Sequence, residues 1–424
     1  MSSKFYDQLT TIVQSSINLG IGHLTTDANG FAGNSFVARG KKLINFALCD
    51  YLALGHDDRL KKGAIRAILD HGFFASVSKV YVKLDIYEKA EEYLSYVFDK
   101  PTLLFPRTTL AHMGVLPVLA DKDDAVILDH HVHTSVRVAS DLLRSYGVHV
   151  ETIRHNRMDI LEDRIKDLKN KYTHVWYLAD GIYSTYGDNL PINDIRRLLN
   201  DYEQFHVYID DSHGMSWAGT NGKGFINENL GSHPHMILST SLCKGYGAEG
   251  GVIVCNDEEV KKKLGTCAAP LIFTSPISPS TLGAIIESAK IHLSSEIDIR
   301  QAELKERIDL FNTTSQQLEL PLISAPNTPI GFFFTGATDL SQELCASLMR
   351  RGYYVNAFHF PAVPVNSSGV RSLVSLYQSL DDITGLLTTL REEYDIALKK
   401  RGMTMAEILP RHREIKRLEE EFLS

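Results

Sequence analysis

The chain reads as an α/β protein: a mainly parallel sheet with helices on both faces, followed by a smaller α+β domain. Three observations predict this. Short apolar runs of strand length alternate with amphipathic helix-length segments for roughly 200 residues. Several of those runs end on an acid, at Asp129, Asp180 and Asp210. Beyond residue 280 the rhythm changes to long helical patterns separated by short strands.

Taken in order, residues 1–50 are weakly patterned and punctuated by glycines, and they read as an N-terminal arm. Segments 59–69 and 85–98 carry apolar residues at three- and four-residue spacing and predict helices. A short apolar run at 103–105 precedes a helix at 110–119. A buried strand at 125–129 is followed by a helix at 133–143, a strand at 148–153 and a charged helix at 158–170. Strands at 175–179 and 207–209 flank a helix at 192–200. Two more short strands are expected at 236–238 and 251–254. The later part predicts helices at 282–293, 299–318 and 380–390, with strands at 331–334 and 353–357. The expected division is an arm (1–50), a large domain (51–285), a small C-terminal domain (286–400) and a charged helical tail (401–424).

The composition sets limits. Of 424 residues, 44% are hydrophobic and 23% charged, which excludes disorder, collagen and coiled coil as the main state. A net charge of −8 argues against a general binder of nucleic acid or anionic membranes. The cysteines, Cys49, Cys243, Cys255, Cys267 and Cys345, form no Cys-x-x-Cys pair, so reduced thiols are expected, with no disulfide frame and no metal site. Without a signal-peptide pattern or a membrane-spanning apolar run, the expectation is a soluble cytoplasmic enzyme.

Two segments carry chemistry. In Val207-Tyr208-Ile209-Asp210-Asp211-Ser212-His213-Gly214 a buried strand delivers an acid and then a histidine. An ion at that place needs a partner, and a cationic ring nitrogen is one; taken alone, the acid could equally cap the next helix and the histidine could be a core residue. In the second segment, Ser239-Thr240-Ser241-Leu242-Cys243-Lys244-Gly245, hydroxyls precede a lysine that glycines follow. Lysine amines bond carbonyl cofactors covalently, and hydroxyls with backbone N–H groups cradle phosphate. A flexible glycine-rich loop bearing a surface lysine is the plain alternative.

The order acid, histidine, lysine is the layout of fold-type I pyridoxal-phosphate enzymes, and the chain resembles their α-oxoamine synthase family. The likeness rests on motifs in matching order. Asp50-Tyr51-Leu52-Ala53-Leu54 is similar to the family's Asn-Asp-Tyr-Leu-Gly-Leu. Asp129 to Ser135 resembles its Asp-x-x-x-His-Ala-Ser, and Ser184 to Pro191 its Ser-Met-Asp-Gly-Asp-x-x-Pro. Asp210 to Gly224, Phe273 to Pro279 and Pro361 to Ile383 match three further motifs.

The resemblance implies a fold-type I transferase with a seven-stranded, mainly parallel sheet, and pyridoxal 5'-phosphate as cofactor. Lys244 would hold it covalently, Asp210 would pair with its ring nitrogen, and His213 with Ser184 would bond its phenolic oxygen. His133 would stack on the ring and steer the reaction, so Lys244, His133 and Asp210 are the implied catalytic residues. Ser241, Thr108 and Thr109 would contact the phosphate. Thr274 and Ser275 would reach the phosphate of a neighbouring subunit, which implies a homodimer with shared sites. Arg371 would bind the carboxylate of an amino acid.

The implied reaction joins an α-amino acid to an acyl thioester, on CoA or a carrier protein, with decarboxylation to an α-aminoketone. The alternatives are transamination, or aldol or alkylation chemistry on an amino acid. A non-catalytic subunit is a third possibility, against which the retained Lys244 argues.

The chain also departs from the family. Arg107-Thr108-Thr109 stands for a Ser-Gly-aromatic turn, Tyr87 and Ala90-Glu91 for His and Leu-Glu, Ser78-Lys79 for Ser-Arg, and Cys49 for Asn. Gln378 replaces a histidine, and Gly369 the second of two arginines. The cofactor core is kept while its rim is redrawn, which suggests an unusual substrate or chemistry that has drifted from acyl transfer.

Overall fold

The computed structural model describes residues 3–28, 30–74 and 76–412. A hairpin of β1 (Ser35–Ala38) and β2 (Lys41–Asn45) comes first. Then follow β3 (Thr102–Phe105), β4 (Ala125–Asp129), β5 (His149–Ile153), β6 (Val175–Asp180), β7 (Phe205–Asp210), β8 (Met236–Ser241) and β9 (Gly251–Val254). The later strands are β10 (Ile330–Gly336), β11 (Tyr353–Tyr354), β12 (Asn356–Phe358) and β13 (Ser368–Leu373). The chain divides into two units. One is Leu52–Ser184 with Asn189–Gln301; the other is Met1–Tyr51, Thr185–Asp188 and Ala302–Ser424.

The first of these holds a seven-stranded sheet in the order β3-β9-β8-β7-β6-β4-β5. Neighbours from β5 to β8 pair in parallel, and β9 runs against both β8 and β3. Alternate residues face opposite sides. Tyr177, Ala179, Val207 and Ile209 join one core cluster, with Leu94, Leu161, Leu198 and Ile285 from the covering helices. Trp176, Leu178 and Tyr208 join the other, with Val115 of helix Thr108–Leu119 and Ala139 of helix Thr134–Ser145. Burial on both faces is why these strands read as unbroken apolar runs. The parallel strands end together at Asp129, Asp180, Asp210 and Ser241, and that edge is where such sheets bind ligands.

The other unit contains two three-stranded sheets, β1-β2-β11 and β10-β13-β12. Residues 1–50 are thus not an arm. Helix Ser3–Asn18 and the hairpin belong with the C-terminal residues, since β2 pairs in parallel with β11 and Gln378 Nε2 donates to the Asn45 carbonyl at 2.6 Å. The division falls within helix Glu296–Gln317, not at 285. Two of the strands that the pattern missed, β2 and β13, share one physical feature. β2 is exposed at Lys41 and Lys42, and β13 buries polar residues such as Ser368, Arg371 and Ser372, so neither presents an apolar run. Of the expected tail, residues 413–424 lie outside the described residues, and a short 3₁₀ turn spans Met405–Glu407.

Candidate active site

A cleft of about 260 Å³ opens at the carboxyl edge of the seven-stranded sheet. Seven residues expected from the sequence line it: Thr108, Thr109, His133, Asp210, His213, Ser241 and Lys244. Strand ends deliver Asp210 and Ser241, while Thr108 and Thr109 begin helix Thr108–Leu119. His133 is the N-cap of helix Thr134–Ser145.

Asp210 is buried and held from two sides. Its Oδ1 accepts the Ser212 N–H at 3.0 Å together with the Ser212 hydroxyl. Its Oδ2 lies 3.1 Å from His112 Nε2. Burial alone would raise this carboxyl, but the hydrogen bond and charge of His112, with Lys244 and His133, hold it well below the ordinary carboxylate range. Asp180 is its register partner on β6 and also lines the cleft. Burial first, and then Asp210, push the Asp180 carboxyl well above its ordinary range.

The second acid of the pair, Asp211, has a different task. Its Oδ2 accepts the Ile226 N–H at 2.9 Å, which ties the loop after β7 to the next helix. A Cβ at Gly214 would stand 2.2 Å from Asp211 Oδ1, so only glycine fits the close turn.

The start of helix Thr108–Leu119 forms a cradle. Gly251 at the head of β9 lies so close that a Cβ there would be 2.5 Å from the Thr108 Cα. Thr108 and Thr109, in the first turn of this helix, and Ser241 line the cleft there, and a helix start with hydroxyls suits an anion. Arg107, in place of the family's serine, reaches Glu249 with Nη1 at 2.9 Å on the rim. The turn departs from the pattern and keeps the donors.

Four expected residues do not line the cleft: Ser184, Thr274, Ser275 and Arg371. From the segment after β6, Ile182 lines it and Ser184 does not. Thr274 is half-buried with its hydroxyl on the Pro270 carbonyl at 2.6 Å, and Ser275 is exposed. Arg371 belongs to the other unit, on β13 between Phe332 and Asn356. It is buried, its guanidinium lies 5.1 Å from the centre of the Phe358 ring, and its Nε has no hydrogen-bond partner among the described residues. The second arginine of the family pattern has no room here: a Cβ at Gly369 would stand 2.2 Å from the Phe332 ring.

Other departures are linked. Tyr87 donates to the Leu104 carbonyl at 2.6 Å, Glu91 accepts the Leu104 N–H at 3.0 Å, and Lys79 Nζ lies 4.9 Å from the centre of the Tyr87 ring. The departures at Lys79 and Tyr87 thus meet around the retained Glu91. Sequence reasoning missed His112, Asp180 and Cys243 as site residues. A single polar residue inside the apolar run 110–119 was the available signal for His112. Among the described residues no cluster could hold a metal ion, and no helix is long and apolar enough to cross a membrane.

The sequence profile of aminotransferase class I and II matches residues 41–373. The chain belongs to that family. Its relatives place it in the α-oxoamine synthase branch. The 8-amino-7-oxononanoate synthase of Dechloromonas aromatica is 30% identical over 363 residues, which is 85% of this chain and 92% of that one. The enzyme of the same name from Thermoanaerobacter pseudethanolicus is 28% identical over 359 residues, 84% and 89% of the two chains. Among solved structures, the fold matches that of serine palmitoyltransferase from S. paucimobilis, solved with PLP–myriocin bound. The TM-score is 0.85 at 20% identity, covering 93% of this chain and 98% of that one. It also matches 8-amino-7-oxononanoate synthase from Francisella tularensis, with a TM-score of 0.68 at 21% identity over 84% and 98% of the two chains. The fold is thus the fold-type I transferase fold that the motifs implied.

Proposed function

We propose that this chain is a pyridoxal-phosphate-dependent C-acyltransferase. It condenses an α-amino acid with an acyl thioester, with loss of CO₂, to give an α-aminoketone. The observation that carries the reading is the pairing, in one cleft, of the Lys244 amine with a buried carboxylate, Asp210, anchored through both oxygens. The residues present fit the cofactor. A buried anion suits a protonated ring nitrogen, the glycine-lined helix start suits a phosphate, and a lysine between them suits a carbonyl carbon. The relatives' names and the PLP bound in the serine palmitoyltransferase structure support the same choice.

When bound, the cofactor supplies an electron sink for negative charge at the amino acid's α-carbon. Lys244 Nζ holds it and is the base for the α-proton. Asp210 keeps the ring nitrogen protonated. His213 takes the phenolic oxygen, and Thr108, Thr109 and Ser241 take the phosphate. The His133 Nδ1 accepts the Ser135 N–H at 3.3 Å and lies 2.6 Å from the Ser135 hydroxyl, and in the tautomer in which Nδ1 accepts from both the neutral ring carries its proton on Nε2. That N–H is the donor for the thioester oxygen as charge develops there. Arg371 is assigned the α-carboxylate, since a guanidinium fork suits a planar anion.

A homodimer with shared sites is part of the reading. Thr274 and Ser275 do not line their own cleft, and beside them Phe273 is 81% exposed. Leu69, Phe73, Phe74 and Tyr81 are exposed large apolar residues of the same unit, of the kind a second copy covers. The test is a screen of amino acids against acyl-CoA chain lengths, read as free-thiol release by the PLP-loaded protein. Release that needs both substrates and Lys244 supports the proposal; no release with any pair overturns it.

A further inference from the structure

Two carboxyls, Asp180 and Asp210, stand side by side on neighbouring parallel strands at the cleft. Both are buried, and like charges so placed do not both ionise cheaply. Their hydrogen bonds differ. Among the described residues Asp180 receives one N–H, from the His133 backbone at 3.1 Å. Asp210 receives three donors: the Ser212 N–H, the Ser212 hydroxyl and His112 Nε2.

His112 is itself fixed from behind. Tyr208 and Asp210 are two residues apart on β7 and so share a face, the one that helix Thr108–Leu119 covers. His112 comes from that helix, fully buried, with Nδ1 2.8 Å from the Tyr208 hydroxyl and Nε2 3.1 Å from Asp210. The two rings meet edge-on at 5.7 Å. A carboxylate only accepts, so Nε2 carries the hydrogen of this bond.

We propose that His112, braced by Tyr208, is the positioning residue that makes Asp210, and not Asp180, the ionised carboxyl presented to the cofactor's ring nitrogen. The inference rests on the function proposed above and deepens it. The groups that face the pair are Lys244 and His133 on the cleft side, His112 and Tyr208 on the helix side, and Asp129 beyond Asp180. The directions in which Asp180 and Asp210 are shifted agree, since His112 is the leading influence that lowers Asp210.

The test compares apo protein binding PLP with apo protein binding the analogue whose ring nitrogen is replaced by carbon. Wild type should prefer PLP. His112→Leu should lower that preference roughly tenfold, the scale of one charge-assisted hydrogen bond. His112→Gln, which keeps an N–H donor, should recover part of it, and Tyr208→Phe should lose less than the leucine variant. The resonance of ¹⁵N-labelled cofactor should move from the protonated towards the neutral range in His112→Leu. An unchanged preference in folded His112→Leu overturns the inference. If that variant does not fold, Tyr208→Phe decides in the same way, and an unaltered ring-nitrogen signal there overturns it too. Wild type that takes up no PLP at all overturns the proposed function instead, and this inference with it.

Discussion

The backbone N–H of Ser135 donates to Nδ1 of His133, and this one bond gives the histidine two separable duties. It caps helix Thr134–Ser145, and it leaves Nε2 as the protonated nitrogen. His133→Asn should keep the cap, because asparagine is a strong N-cap residue, with stability within about 0.5 kcal/mol of wild type. His133→Ala should cost about 1 kcal/mol. Both should slow thioester-dependent turnover alike. If Asn restored turnover while Ala did not, the cap would be the whole contribution of His133.

Asp210 and Asp211 should separate in the same way. Asp210→Asn should fold with a near-normal melting temperature and lose most turnover, since a neutral amide cannot keep the ring nitrogen charged. Removing one partner of a buried ion pair is typically worth about 3–5 kcal/mol. Gly214→Ala should do the opposite, lowering the melting temperature through the clash with Asp211. Turnover by Asp210→Asn within a few-fold of wild type would place the role elsewhere.

Acid sensitivity should trace to a histidine remote from catalysis. His292 is fully buried, with Nδ1 on the Ser288 carbonyl at 2.8 Å and Nε2 2.9 Å from the Ser216 hydroxyl. Burial pulls it down to about 4. Its unfolded value is about 6.5, so the unfolded chain binds the proton first. This contribution is complete above that value and shrinks as pH falls from it towards 4, by on the order of 3 kcal/mol. Urea unfolding followed between those limits should show the loss, and His292→Gln should flatten it. An equal slope in the variant would assign the acid sensitivity to other groups, such as His206, also drawn down to about 4.

The proposed homodimer with shared sites predicts complementation. Mixing Lys244→Ala chains with Thr274→Ala/Ser275→Ala chains should yield some heterodimers with one intact site, so activity should rise above that of either parent. No gain on mixing would return Thr274 and Ser275 to a local structural role.

The sheet was legible because strands buried on both faces cannot hide their apolarity, and β4, β9 and helix Asp85–Phe98 fall at the expected bounds. The strand-end residues Asp210 and Ser241 were legible because a parallel sheet puts its ligands there. β13 was not, since it buries serines and Arg371, whose partners lie on other strands. His112 was hidden for a related reason: its role comes from the face that Tyr208 and Asp210 share, a relationship across nearly a hundred residues that no local pattern displays. The departures at Lys79 and Tyr87 look unrelated along the chain and meet, beside the retained Glu91, only in the fold.

The central claim is decarboxylative acyl transfer, and it is tested most directly by a balance on one substrate. Supply the PLP-loaded protein with an amino acid labelled in its carboxyl carbon and with an acyl thioester, and measure labelled CO₂ against free thiol. Acyl transfer predicts one CO₂ and one thiol for each aminoketone formed, with none of these from a Lys244→Ala protein. Pyridoxamine phosphate formed from amino acid alone, with no CO₂ and no thiol when thioester is added, would contradict the account and establish transamination.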